Sequence, residues 1–279
     1  MIRIYKTGKG IVIENDNKCF ISPETNWNSF INSEGLYRRL QQEIKALTPV
    51  GDTDWLTQQE ILAPIGAQEV WAAGVTYLRS KIARMEESEV SGGATFYDKV
   101  YDAERPELFF KSTASKVIST NGLVRIRKDS SWNVPEPELT LVVTSSGKIV
   151  GYSIGNDMSS RSIEGENPLY LPQAKMYDGS ASVGPCVLVT EQPISPDTVI
   201  AINIDRDGKT VFEGSTTIDR MKRKHEELVE FLFREYSHPV GCYLMTGTCV
   251  VPENDFTLYS GDVIKIRIDN IGELVNTVA

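Results

Sequence analysis

The stretch from Val134 to Asp157 constrains the fold more than any other part of this chain. It reads Val134-Pro135-Glu136-Pro137-Glu138-Leu139-Thr140-Leu141-Val142-Val143, then Thr144-Ser145-Ser146-Gly147-Lys148, then Ile149 through Gly155-Asn156-Asp157. Two β-prone runs flanking a Ser/Gly turn form an antiparallel hairpin. Strand side chains alternate faces, so Glu136 and Glu138 point the same way. A turn centred on Ser146-Gly147 sets Glu136 opposite Asp157 and Glu138 opposite Gly155. Three carboxylates then meet at one end of one face; a one-residue slip would send Asp157 to the other side.

Like charges so placed repel one another unless something positive sits among them. An oxygen-only donor set suits Mg²⁺, with Mn²⁺ as the alternative, and not Zn²⁺. Gly155 is expected to leave room beside Glu138 for an ion and a substrate. Pro135 and Pro137 donate no ladder bond, which predicts an edge or a mouth at this strand end. The plainer reading of Glu-x-Glu is the wet face of a strand. Thr140 and Val142 continue that face without charge, and with Asp157 they tip the reading toward a metal site.

Composition narrows the partners. A net charge of -9 and a pI near 5.0 argue against nucleic acid, whose phosphates demand a basic surface, and disfavour anionic membranes. No apolar run approaches the roughly 18 residues that span a bilayer. Met1-Ile2-Arg3-Ile4-Tyr5 alternates like a strand and lacks the apolar core of a signal peptide. Cys19, Cys186, Cys242 and Cys249 are scattered beside apolar stretches, which predicts reduced thiols in a cytoplasmic protein.

At 279 residues, one large domain (66–279) with a small N-terminal one (1–65) is expected. Ile2–Tyr5 and Ile11–Ile13 read as a hairpin, Leu36–Leu47 as a helix and Val70–Val75 as a buried strand. Tyr77–Glu87 is helix-prone, broken by Ser91-Gly92-Gly93, and the insertion continues through Tyr97–Ala103. It is either a solvated surface helix or a mobile lid over a site, and the sequence favours the former. Val199–Asp205 and Thr210–Phe212 flank Asp207-Gly208, a pair suited to two positive φ values. A long helix is expected over Ile218–Tyr236, with His225 in its apolar stripe as a packing residue, and a strand over Ile264–Ile268. The class is α+β and strand-dominated.

Several motifs go further. Arg105-Pro106-Glu107-Leu108-Phe109-Phe110-Lys111, Glu136-Pro137-Glu138-Leu139, Gly151 through Asp157-Met158-Ser159-Ser160-Arg161, Thr246-Gly247-Thr248 and the run Asp262–Val278 resemble the fumarylacetoacetate hydrolase family, from about Val70 to the end. Glu164-Gly165-Glu166-Asn167-Pro168-Leu169-Tyr170-Leu171-Pro172-Gln173, with Lys175 and Tyr177, resembles its 2-keto-3-deoxy-D-arabinonate dehydratase branch. The resemblance implies a mixed β-sandwich roll, a homodimer and Mg²⁺ on Glu136, Glu138 and Asp157. It carries over Lys175 as a cationic group beside the substrate, Thr248 as a ligand for the substrate carboxylate, and Glu107 as a carboxylate near the reacting carbons.

Two departures matter. Family hydrolases activate water with a histidine, whereas this chain has only His225 and His238, both past the region where that histidine belongs. Ser162 stands where an aspartate is usual after the arginine.

The chemistry expected is β-elimination of water from a small 2-oxo-3-deoxy sugar acid, through an enolate steadied by the cation. Lys175, if desolvated and near the cation so that its pKa falls, would take a C3 proton while Glu107 holds or protonates the leaving hydroxyl; the two roles are exchangeable. An acylpyruvate hydrolase or oxaloacetate decarboxylase would use the same metal ligands, though the missing histidine disfavours hydrolysis. A non-catalytic protein gripping a structural ion is the reading from another class.

Overall fold

The structure is a computed structural model that describes residues 1–87 and 94–279; the predicted break at Ser91-Gly92-Gly93 lies outside the described residues. An eleven-stranded sheet runs through Gly51–Asp52, Lys18–Ile21, Gly10–Asn15, Ile2–Thr7, Ala181–Val189, Ile149–Asp157, Pro137–Val143, Cys242–Met245, Glu69–Gly74 and Glu107–Ser112, with Ile61–Leu62 also on Ile2–Thr7. A second sheet of five strands orders Lys209–Thr217, Val199–Arg206, Val263–Ile268, Gly272–Val278 and Gly122–Val124. The strand-dominated α+β class follows.

The large sheet is buried on both faces, which explains why its central strands read as continuous apolar runs. Leu139, Leu141 and Ile154 pack toward Ile202, Ile264 and Ile266 of the second sheet and Leu228 of the helix His225–Leu232. On the opposite face Val142, Val183 and Met245 pack with Ile4 and Ile13 and with Phe30, Leu36 and Leu40 of the helices Trp27–Ile31 and Leu36–Ala46. The N-terminal hairpin extends this same sheet, with Ile2 paired to Val189 and Ile4 to Val187.

The central hairpin has the expected register. Glu138 pairs with Gly155 and Pro137 with Asn156, and the Asp157 N–H donates to the Glu136 carbonyl at 3.0 Å. Gly147 adopts φ +76 where the turn requires a left-handed residue, and a bulge between Val142 and Val143 absorbs the odd loop residue. The strand end is a mouth and not a sheet edge. The Thr246 N–H donates to the Leu139 carbonyl at 3.0 Å, so residues in step with Leu139 turn their backbone groups toward Cys242–Met245. Pro137 faces that side two residues further on, past the end of the neighbouring strand, so its missing N–H costs no ladder bond.

Two expectations need correction. Gly155 does not open space for an ion: a Cβ there would run into the Thr140 hydroxyl and the Met245 side chain. The glycine instead lets these two groups close over the strand. The helix expected over Ile218–Tyr236 forms only over His225–Leu232. Upstream, Met221 bridges to Tyr77, the Lys222 N–H donates to the Thr76 carbonyl, and buried Arg223 donates to the carbonyls of Val100, Ala103 and Glu104. Tertiary partners there replace the i−4 carbonyls that a helix would use. At Asp207-Gly208 both φ values are positive, as the hairpin turn demands.

Because the Gly155 site is filled, Gly155→Ala overpacks it and is expected to cost about 1–3 kcal/mol of stability. Urea unfolding of parent and variant measures this; equal midpoints would mean that Thr140 and Met245 yield freely.

Candidate active site

Glu136, Glu138 and Asp157 are buried, and each offers an oxygen within 4.8 Å of those of the others. The hairpin register puts them there, as the alternation of the sequence requires. Around them stand four cations. Lys175 Nζ donates to Glu136 Oε2 at 2.8 Å, Asp157 Oδ2 at 3.1 Å and Ser159 Oγ at 2.6 Å. Arg161 donates to Glu136 Oε1 at 2.7 Å, and Lys111 pairs with Asp157. Arg84 pairs with Glu164, which lies 3.9 Å from Lys175 Nζ.

Glu138 differs from the other two. The Gly247 N–H donates to its Oε2 at 2.6 Å, but no salt bridge reaches it among the described residues. Burial, reinforced by Asp157 and Glu136, pushes its pKa well above the usual carboxylate range. For Glu136 burial acts in the same upward direction, but Lys175 and Arg161 outweigh it and hold that carboxyl below the range. The acids around Lys175 set its charge. Burial alone would lower its pKa, yet Asp157, Glu136 and Glu164 raise it above that of an ordinary lysine. In this arrangement Lys175 is an ammonium ion with its three protons engaged.

Glu107 opens the strand Glu107–Ser112, paired to Gly74. Its Oε2 is shielded from solvent and has no hydrogen-bond partner among the described residues, and burial raises its pKa. A Cβ on Gly74 would fall within that carboxyl group, so the glycine is what admits it. Thr248 follows Gly247, which contacts Glu138, but its own hydroxyl exchanges hydrogen bonds with the Val250 backbone at 3.3 Å.

Lys111, Arg161, Glu164, Arg84 and Ser159 were not assigned roles from sequence. Lys111 was within reach of such reasoning, because Glu107, Phe109 and Lys111 alternate on one strand and share a face. Arg161 and Glu164 stand three apart on the helix Arg161–Glu166, too short for periodicity to reveal. Arg84 lies on Leu78–Glu87, in the insertion read as a surface helix. That reading fails on its inner side, where Arg84 and Tyr97 are buried. Ser162 bonds Ser130 Oγ at 2.8 Å and accepts from the Ser131 N–H at 3.3 Å. His225 packs near Tyr152, and His238 among Phe233, Tyr236 and Trp71. Neither histidine joins the carboxylates.

The donor set fits a hard divalent cation. It offers three buried carboxylates and no thiol or imidazole, and among the described residues no salt bridge reaches one of them, Glu138. Five acidic side chains (Glu107, Glu136, Glu138, Asp157, Glu164) face four basic ones (Lys111, Lys175, Arg84, Arg161).

The sequence profile of the fumarylacetoacetate (FAA) hydrolase C-terminal family matches residues 70–279. The chain belongs to this family. Within it, the chain is 45% identical over 241 residues to a probable 2-keto-3-deoxyxylonate dehydratase from Haloferax volcanii, covering 86% of this chain and 82% of that one. It is 42% identical over 220 residues to the 2-dehydro-3-deoxy-D-arabinonate dehydratase of Saccharolobus solfataricus, covering 78% and 74%. A solved structure of 2-keto-3-deoxy-D-arabinonate dehydratase complexed with magnesium and 2,5-dioxopentanoate superposes with a TM-score of 0.80 at 34% identity, over 99% of this chain and 97% of that one.

Cation binding should show itself without any substrate. Mg²⁺ at 100 times its dissociation constant is expected to stabilise this family member by about 2.7 kcal/mol. Glu138→Gln keeps the shape but removes the uncompensated charge. It should unfold later than the parent without metal and lose most of the Mg²⁺-induced shift in Tm. A full shift in the variant would place the ion elsewhere.

Proposed function

We propose that this protein is a Mg²⁺-dependent hydro-lyase that removes water from a 2-keto-3-deoxy sugar acid. The observation that carries this reading is the convergence of Glu136, Glu138, Asp157, Lys175 and Glu107 at one place where no histidine stands. The names of the two relatives support it and point to one substrate. Arabinonate and xylonate of one series differ only at C2 and C3, and both stereocentres vanish in the 2-oxo-3-deoxy acid. The two names then describe the same five-carbon compound when C4 has the same configuration.

A divalent cation held by Glu136, Glu138 and Asp157 supplies Lewis acidity toward the carboxylate and 2-oxo group of such an acid, which eases removal of a C3 proton. The chain's own residues divide the remaining work. Lys175 has no free lone pair while its protons are engaged, so it serves as a fixed positive charge beside the developing oxyanion. Glu107, with a shielded and unpartnered oxygen, takes the C3 proton and returns it to the departing C4 hydroxyl, which leaves as water. The unsaturated product then tautomerises to a dioxo acid. Thr248, released from Val250, would hold the substrate carboxylate. This gives Glu107 both of the proton-transfer roles that the sequence reading divides between Lys175 and Glu107.

Elimination needs no activated water, so the absence of a histidine from the site is no obstacle. In this reading the chain divides into a small N-terminal unit of residues 1–65, whose strands join the large sheet, and a catalytic unit of 66–279. A homodimer in the cytoplasm completes the reading, and sedimentation tests the dimer. Among the described residues no helix is long and apolar enough to cross a membrane.

With Mg²⁺ and a 2-keto-3-deoxy-pentonate, mass spectrometry should record a product lighter by one water, and a chelator should stop its formation. Two carbon fragments or CO₂ would favour the acylpyruvate hydrolase or oxaloacetate decarboxylase instead. Glu107→Gln should lower kcat by about 100-fold or more. Gly74→Ala, which displaces the same carboxyl, should lower kcat with little change in Tm. Parent-like kcat in both variants would remove Glu107 from the chemistry.

A further inference from the structure

Lys111 is a fully buried lysine on the strand Glu107–Ser112, two positions beyond Phe109, whose ring lies 5.7 Å from Lys175 Nζ. Its ammonium meets three acceptors from two other segments. It pairs with the Asp157 carboxylate, donates to the Met158 carbonyl at 3.0 Å and donates to the Lys175 carbonyl at 2.5 Å. An ammonium has three protons, so this set uses all of them. Such a group costs a great deal to desolvate and is kept buried only when every donor is satisfied.

The three acceptors do not depend on Lys111 equally. Asp157 is fixed by its own backbone, which pairs with Ala181 and donates to the Glu136 carbonyl. Lys175 ends a helix of only five residues, Leu171–Lys175, and its carbonyl is among those left unpaired at a helix C-terminus. A cation there also complements the helix dipole. Lys111 is thus the cap of the short helix that delivers Lys175.

We propose that Lys111 is a positioning residue: by capping the Lys175 carbonyl while gripping Asp157, it sets the Lys175 ammonium against the cation ligands. This rests on the dehydratase reading above for the role of Lys175, though not for the geometry. Lys111 sits against Asp157, so the positive charge it keeps against the downward pull of burial opposes a bound cation even as it orders Lys175. Its removal therefore separates two effects that a merely structural residue would lose together.

The test is Lys111→Met, close in length and uncharged, studied with Mn²⁺ as the probe ion. Mn²⁺ binding followed by electron paramagnetic resonance should stay within about threefold of the parent or tighten, whereas kcat should fall about 10–100-fold, the usual cost of losing a supporting partner at such a site. KM should remain within about threefold, because cation and carboxylate contacts persist. A crystal structure of the Mn²⁺-loaded variant should show the three carboxylates in place and the Lys175 ammonium withdrawn from Ser159. An unmoved Lys175, an unchanged kcat, or Mn²⁺ affinity lost in step with Tm would each overturn the proposal. Lys111→Gln, which keeps two donors, should lie between parent and Met variant. Failure of both variants to fold would make Lys111 a core residue and overturn the proposal as well. If the parent dehydrates no 2-keto-3-deoxy acid, the functional reading fails, while the crystallographic and Mn²⁺ results still decide the part played by Lys111.

Discussion

Mutual repulsion among Glu136, Glu138 and Asp157 is the constraint around which this end of the sheet is arranged. Carboxylates that close in a buried place would drive one another toward protonation. The fold answers with cations drawn from separate parts of the chain: Lys111 from a strand, Arg161 and Lys175 from two short helices, and Arg84, through Glu164, from the insertion. Each is itself costly to bury, so none would be stable without the acids it faces. The compensation is weakest at Glu138, where burial and then the neighbouring Asp157 and Glu136 raise the pKa. A site left one positive charge short by its own residues is one prepared to receive a cation.

The sheet makes that arrangement possible because apolar layers hold both of its faces. Leu139, Leu141 and Ile154 look one way, and Val142 and Met245 the other. Beyond Thr140 on the face of Val142, the same alternation turns Glu138 and Glu136 toward the mouth. The polar cluster therefore sits on a strand pair clamped along its length, and its geometry follows from backbone register and not from loop conformation. Gly155 tightens this clamp by letting Thr140 and Met245 close across the strand.

What the sequence disclosed and what it hid divide along physical lines. Register was legible because alternation and a Gly147 turn leave one pairing that buries Leu139 and Leu141 together. The helix Leu36–Ala46 and the Asp207-Gly208 turn were legible for similar local reasons. Beyond Ile218 the local pattern misled, because Arg223 and Lys222 find carbonyls of the insertion and of Thr76 that no periodicity records. The helices that deliver Arg161 and Lys175 are six and five residues long, below the length at which a pattern can be read. Most instructive is the charge on Lys175. From sequence, burial pointed to a depressed pKa. The acids surrounding it, known only once the chain is folded, act in the opposite direction to burial and to a nearby cation.

That opposition bears on which chemistry such a site can perform. A lysine whose protons all point at acceptors can neither remove a proton nor form a bond to carbon without first giving up those partners. As a cation, however, it is held in register with the three acids, and it steadies negative charge wherever that develops beside them. In the proposed reading proton transfer falls to Glu107, whose carboxyl occupies space that Gly74 leaves open and has an oxygen with no partner among the described residues. One fixed positive group, one available carboxyl and no histidine to activate water make a poor hydrolase. For elimination they suffice, because the proton taken from one carbon can depart with the hydroxyl of the next.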